Sequence, residues 1–119
     1  MIRSYKDLQV YQESYQLALR VYKISQGYPP EERYGLTGQT QKASVSIPLN
    51  IAEGYGKQDS AAEFKRYLRM ALGSVNEMLV LLDFSRDLGY IGNEAVEDLQ
   101  ESYGILAKRI YQLIERWKR

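Results

Sequence analysis

The sequence predicts an all-α protein, an antiparallel up-down-up-down four-helix bundle, and three observations carry that expectation. Apolar residues return every three or four positions through four long stretches. Only three prolines occur in 119 residues. Turn signals at Gly27-Tyr28-Pro29-Pro30, at Gly54 to Asp59 and from Leu88-Gly89 to Gly92-Asn93 divide the stretches from one another. Short links make neighbouring helices antiparallel. No repeat, low-complexity tract or linker interrupts the chain, so residues 1–119 are expected to form one domain.

Ser4-Tyr5-Lys6-Asp7 has the form of a capping box and should open the first helix. That helix carries two apolar stripes, Leu8, Tyr11, Tyr15, Leu19 and Tyr22 in one and Val10, Leu17, Val21 and Ile24 in the other. Two stripes are more than a simple surface helix needs. Gly27 is the expected left-handed terminator, and Tyr28-Pro29-Pro30 cannot continue the helix.

Glu31 and Glu32 favour a helix N-terminus, so the second helix is expected from about there to Gly54 or Gly56. Pro48 removes a backbone donor inside it and frees the Ser44 carbonyl, which costs about 3 kcal/mol if unrelieved. A kinked but continuous helix is expected, with the Ser44 or Ser46 hydroxyl or a water serving the freed group; two helices broken at Ile47 are the alternative. At about 100° per residue, Ala43, Ile47 and Ile51 share one side of this helix, and Val45, Leu49 and Ala52 lie roughly opposite. Ser46, Asn50 and Glu53 fall in a gap between them. The helix should therefore be covered on both sides, by the bundle core and by a neighbour.

Ser60-Ala61-Ala62-Glu63 is a second capping box, opening a helix whose core stripe is Phe64, Leu68, Ala71, Val75, Met78 and Leu82. Gly73-Ser74 sits in its middle, where a close helix-helix approach would explain the glycine. Leu88-Gly89 ends that helix. Acidic residues Glu94, Glu97 and Asp98 begin the fourth, in which Leu99, Tyr103, Leu106, Ile110, Leu113 and Trp117 keep a spacing of three and four.

Composition bounds the chemistry. Cysteine and histidine are both absent, which removes disulfides, thiolate nucleophiles, zinc-thiolate sites and the usual neutral-pH general base. No catalytic residue, metal site or cofactor is therefore assigned, and a non-enzymatic protein is expected. The N-terminus has no apolar signal core and no run approaches a membrane span, so the expectation is a cytoplasmic protein without membrane contact. Eleven tyrosines against two phenylalanines suit half-buried seams.

Folding the helix 2–3 hairpin about Lys57 to Asp59 should set Glu53 near Lys65 or Arg66, Asn50 near Tyr67 and Gln39 near Met78. A structural hydrogen-bond network fixing helix register is one outcome. A carboxylate metal site is the other, though bundle sites of that kind use Glu-x-x-His pairs and this chain has no histidine.

Charge is strongly polarised although the net charge is only +1. The bundle half holding the start of helix 1, the helix 2–3 turn and the end of helix 4 collects eleven bases against five acids, a net +6. The other half holds five against ten, a net −5. Helix dipoles account for helix 4, but Lys65, Arg66 and Arg69 stand in the first turns of helix 3, where positive charge is unfavourable. Those three, with Lys57, Lys108, Arg109, Arg116 and Lys118, are the candidate nucleic-acid-binding residues, acting on phosphates rather than bases. A solvated or protein-facing surface is the alternative.

Several runs resemble a known family. They are Tyr5-Lys6-Asp7-Leu8 with Val10; Tyr28 to Gln39; Ser44-Val45-Ser46-Ile47-Pro48-Leu49-Asn50-Ile51-Ala52-Glu53-Gly54; and Phe64 with Ala71-Leu72-Gly73-Ser74 and Glu77. Together they resemble the bacterial four-helix-bundle proteins encoded in intervening sequences of large-subunit ribosomal RNA, a family that includes the accessory variability determinant of diversity-generating retroelements. The resemblance implies a homopentameric ring with a central channel, an affinity for RNA or DNA, and a reverse transcriptase as partner in the retroelement branch. It marks Ser46, Pro48, Asn50, Glu53, Gly54, Gly73 and Ser74 as a structural motif for folding and assembly. Retroelement relatives tend to be strongly basic, and this chain is nearly neutral. A protein-binding scaffold oligomer without nucleic-acid contact is the second expectation.

Overall fold

The computed structural model describes residues 1–117, and Lys118, one of the candidate phosphate contacts, lies outside the described residues. The described residues form four α-helices: α1 (Gln9–Ser25), α2 (Leu36–Tyr55), α3 (Ala61–Asp87) and α4 (Asn93–Arg116). They pack as an antiparallel bundle, and no strand occurs among the described residues. At about 1.5 Å per residue, the 27 residues of α3 account for most of the 46 Å long axis.

One apolar cluster joins all four helices. The six core positions expected on α3 are all at 0–1 % exposure, and they meet Leu17 and Val21 of α1, Ile47 and Ile51 of α2, and Leu99 and Ile110 of α4. On α4 the seam passes from Ile110 to Ile114, while Leu113 and Trp117 are only half-buried. An α-helix of 3.6 residues per turn drifts away from a strict three-four spacing, so the last turn buries a different residue from the one the spacing predicts.

Both capping boxes correspond to real caps, one complete and one partial. Around a 3-10 turn, Tyr5–Asp7, one residue before α1, the Ser4 hydroxyl accepts from the Lys6 amide and the Asp7 carboxylate accepts from the Ser4 amide. Ser60 accepts from the Glu63 amide, but the Glu63 side chain turns to Arg66 instead of completing the box. Gly27 is not left-handed. The positive φ falls at Gly89 alone among the glycines, at 81°, just past the end of α3 as expected.

Helix α2 starts later than the acidic pair suggested. Pro30–Glu32 form a separate 3-10 turn, and α2 begins at Leu36. Glu32 still serves the N-terminus, but from outside: its carboxylate accepts from the Leu36 amide at 2.9 Å and from the Tyr90 hydroxyl at 2.9 Å. These donors hold its carboxyl below the usual range, the Leu36 amide first. A Cβ at Gly35 would stand 2.7 Å from the capping oxygen, so the glycine leaves room for it. From Leu36 the helix runs unbroken through Pro48 to Tyr55. The nearby hydroxyls do not serve the carbonyl that Pro48 frees. Ser44 donates to the Gln41 carbonyl and Ser46 to the Ala43 carbonyl.

Candidate nucleic-acid interface and the outer apolar faces

Five of the seven motif residues, Ser46, Asn50, Glu53, Gly54 and Ser74, line up along the α2–α3 seam. The Ser46 and Ser74 hydroxyls share a hydrogen bond of 2.7 Å across the helices, and Asn50 Nδ2 donates to the Ser46 carbonyl one turn back. Glu53 is exposed rather than buried, and its carboxylate accepts from the Tyr67 hydroxyl at 3.5 Å, not from Lys65 or Arg66. Asn50 therefore does not take Tyr67. These bonds link the two helices along the seam, and among the described residues no group of three or more Asp or Glu side chains is placed to hold a metal ion.

The close approach lies at Gly54 and not at Gly73. A Cβ on Gly54 would fall 2.6 Å from Tyr67 Cβ and 3.1 Å from Phe64 Cδ1. On Gly73 it would meet nothing within 4 Å. The end of α2 is thus pressed on the start of α3, and Tyr55, Phe64 and Trp117 close the core there with edge-on ring contacts.

Around that end the basic residues divide into two groups. On the hairpin side, the Lys57 ammonium lies 5.6 Å and the Arg66 guanidinium 4.7 Å from the centroid of the Tyr67 ring. Arg66 also clamps Glu63 through two bonds of 3.2 Å, which holds that carboxyl below and the guanidinium above their ordinary ranges. Arg69 is exposed beside them, and Lys65 is half-buried. On the other side, Arg109 and Arg116 line a shallow cleft with Asp7 at the start of α1, where Arg109 is held by Glu13. Lys108 is exposed on the outer side of α4. Tyr67 is absent from the residues that charge alone selects. Its place directly after Lys65 and Arg66 is the signal that could have found it, since an aromatic face beside cations attracts them.

Helix α2 is covered on one side only. Ile47 and Ile51 are fully buried, but Leu49 is 61 % exposed and Val45 half-buried. With Tyr11, Tyr15, Leu19 and Tyr22 of α1 they line an apolar groove of about 350 Å³ on the outside of the α1–α2 pair. A second cleft, about 420 Å³, separates α1 from α4 under the Arg20–Asp98 and Arg109–Glu13 ion pairs.

Residues 6–113 match the model of the family described as 23S rRNA-intervening sequence protein. The chain belongs to that family. A solved structure with the same fold is a protein of unknown function from the S23 ribosomal protein family of Bacteroides thetaiotaomicron VPI-5482, at a TM-score of 0.80 and 24 % identity over 89 % of this chain and 95 % of that one. No curated protein matches the sequence. Of the seven motif residues, Ser46, Asn50, Glu53, Gly54 and Ser74 meet along one helix pair, whereas Pro48 lines the α1–α2 groove and Gly73 faces open space. No described helix is long and apolar enough to cross a membrane.

Proposed function

We propose that the chain is a non-enzymatic cytoplasmic bundle that assembles into a ring and holds RNA or DNA through phosphates at its basic end. The observation that carries phosphate binding is the gathering of Lys57 and Arg66 over Tyr67, with Arg69 exposed beside them, in the half of the bundle where bases outnumber acids. Cations gathered around an aromatic face suit the phosphates and bases of a nucleic-acid strand. The family's name links its members to 23S rRNA, which makes RNA the first ligand to try. Five is the subunit number that the resemblance implies.

A salt titration of binding to single-stranded and duplex RNA tests this directly. Neutralising several phosphates requires log affinity to fall linearly with log salt, and replacing Lys65, Arg66 and Arg69 together by glutamine should make that fall shallower by about one unit of slope for each phosphate no longer neutralised. Absence of binding at low salt overturns it. The tyrosine-lined groove favours a second reading, a protein-binding scaffold such as a reverse transcriptase accessory, in which the ring forms but RNA does not bind.

A further inference from the structure

We propose that the outer face of α3 near its C-terminal end, with the edge of α4 beside it, docks a basic amphipathic helix of another protein. This goes beyond phosphate binding and ring assembly and depends on neither.

The face is apolar and uncovered. Val80, Phe84 and the capping Leu88 follow one another at intervals of four on the side of α3 away from the core, and they are 54 %, 56 % and 52 % exposed. Residues four apart stand one above another on a helix, so the three make a ridge about 12 Å long. A single exposed apolar side chain is ordinary, whereas a ridge of large ones marks a contact surface. Two turns before Val80, Gly73 has nothing within 4 Å of its missing Cβ, which lets a helix laid along α3 come close to the backbone there. The apolar residues of such a helix recur every three or four positions and straddle a ridge of this kind.

Charge selects the occupant. Asp83 and Asp87 are exposed on the flank of the ridge that meets α4, where Gln100 donates to Asp83 at 2.8 Å. Glu97, one turn before Gln100, and Glu101, four residues beyond Glu97, are exposed on the facing edge of α4. Among the described residues Arg86 is the only base that pairs with any of these four carboxylates, bonding Asp87 at 3.0 Å and Asp83 at 3.4 Å. Its guanidinium is held above the ordinary range by the bond to Asp87 first, then by the charges of Asp87, Asp83 and Glu97. On the opposite flank Glu77 lies level with Lys42 of α2, so that side is balanced. The α4 flank is thus negative, in the half of the bundle that is negative as a whole. It repels a nucleic-acid strand. A helix with an apolar stripe for the ridge and lysines or arginines along one edge complements both features.

The probe is a fluorescent synthetic peptide of about 18 residues, roughly five helical turns, with leucines at intervals of three and four and lysines along one edge. Its counterpart carries glutamates in place of the lysines. Fluorescence anisotropy with the full chain should show the lysine peptide binding, with affinity that falls as salt rises, and the glutamate peptide not binding. Val80→Ala with Phe84→Ala should weaken binding about tenfold, the scale of losing a central apolar anchor. Glu97→Gln with Glu101→Gln should weaken it several-fold and flatten the salt dependence. Leu19→Ala with Leu49→Ala, in the α1–α2 groove, should leave it unchanged. Circular dichroism checks the helicity of each variant, and Phe84→Ala alone replaces the α3 pair if that pair loses helix. No binding of the lysine peptide, equal binding of both peptides, or a loss through the groove variant instead of the α3 variant overturns the proposal. If light scattering shows that Val80→Asp breaks up an oligomer of the unaltered chain, a second copy is the occupant of this face, and that too overturns it.

Discussion

The α2–α3 seam and the α1–α4 seam join helices in the same bundle by opposite means. Between α2 and α3 a glycine lets the backbones close until Gly54 touches Tyr67 and Phe64, and the Ser46–Ser74 bond spans the gap further along. Between α1 and α4 a cleft stays open, bridged by Arg20–Asp98 and Arg109–Glu13 near the solvent. Small residues allow dispersion and hydrogen bonds at short range, whereas long charged side chains reach across a distance at little net gain. The first seam thus fixes the register of the bundle, and the second only fastens its edges.

The largest effect should come from crowding the tight seam. Gly54→Val should lower unfolding stability by roughly 1–3 kcal/mol, because the added carbons meet Tyr67 and Phe64 with no room to relax. Chemical denaturation measures it, and an unchanged midpoint would show the approach to be looser than the structure has it. Gly73 provides the control on the same pair of helices. With nothing near its missing Cβ, Gly73→Ala should raise stability by about 0.5–1 kcal/mol through the unfolded chain and helix propensity.

Breaking the looser seam should cost less. Arg20→Ala removes an ion pair whose side chains are 44 % and 63 % exposed, so a loss of about 0.5 kcal/mol is expected, shrinking further in high salt. A loss as large as that of Gly54→Val would abolish the distinction between the seams. The smallest effect at neutral pH belongs to Glu32, whose carboxyl is held low by the Leu36 amide and then the Tyr90 hydroxyl. A depressed folded pKa means stability that is present above the ordinary value of 4.5 and lost as pH falls through the lower folded one. Glu32→Gln should therefore flatten the acid limb of the stability curve below that value, and a limb of unchanged steepness would contradict the cap.

The same contrast explains what could be read from the residues. Periodicity is local, so the α3 stripe from Phe64 to Leu82 and the buried Ile47–Ile51 side of α2 were both legible. Which glycine is tight depends on the distance between helices far apart in sequence, so Gly54 and Gly73 could not be told apart. The later start of α2 turns on a carboxylate reaching four residues forward from Glu32, a choice that acidic composition alone leaves open. Among the basic residues, charge counting picked out one end of the bundle. It could not divide them into the Tyr67 group and the α1–α4 group, because that division needs the side chains placed. Glu53 was placed in the gap between the two apolar sides of α2 with Lys65 or Arg66 as its neighbour, yet it lies exposed at the outer edge of the seam and takes the Tyr67 hydroxyl.

The bundle leaves an apolar outer groove between α1 and α2 uncovered, and sedimentation velocity of the unaltered protein across a wide concentration range tests the proposed self-association most directly. A discrete species several times 13.8 kDa that persists on dilution is the predicted result. A single 13.8 kDa species at every concentration would contradict it.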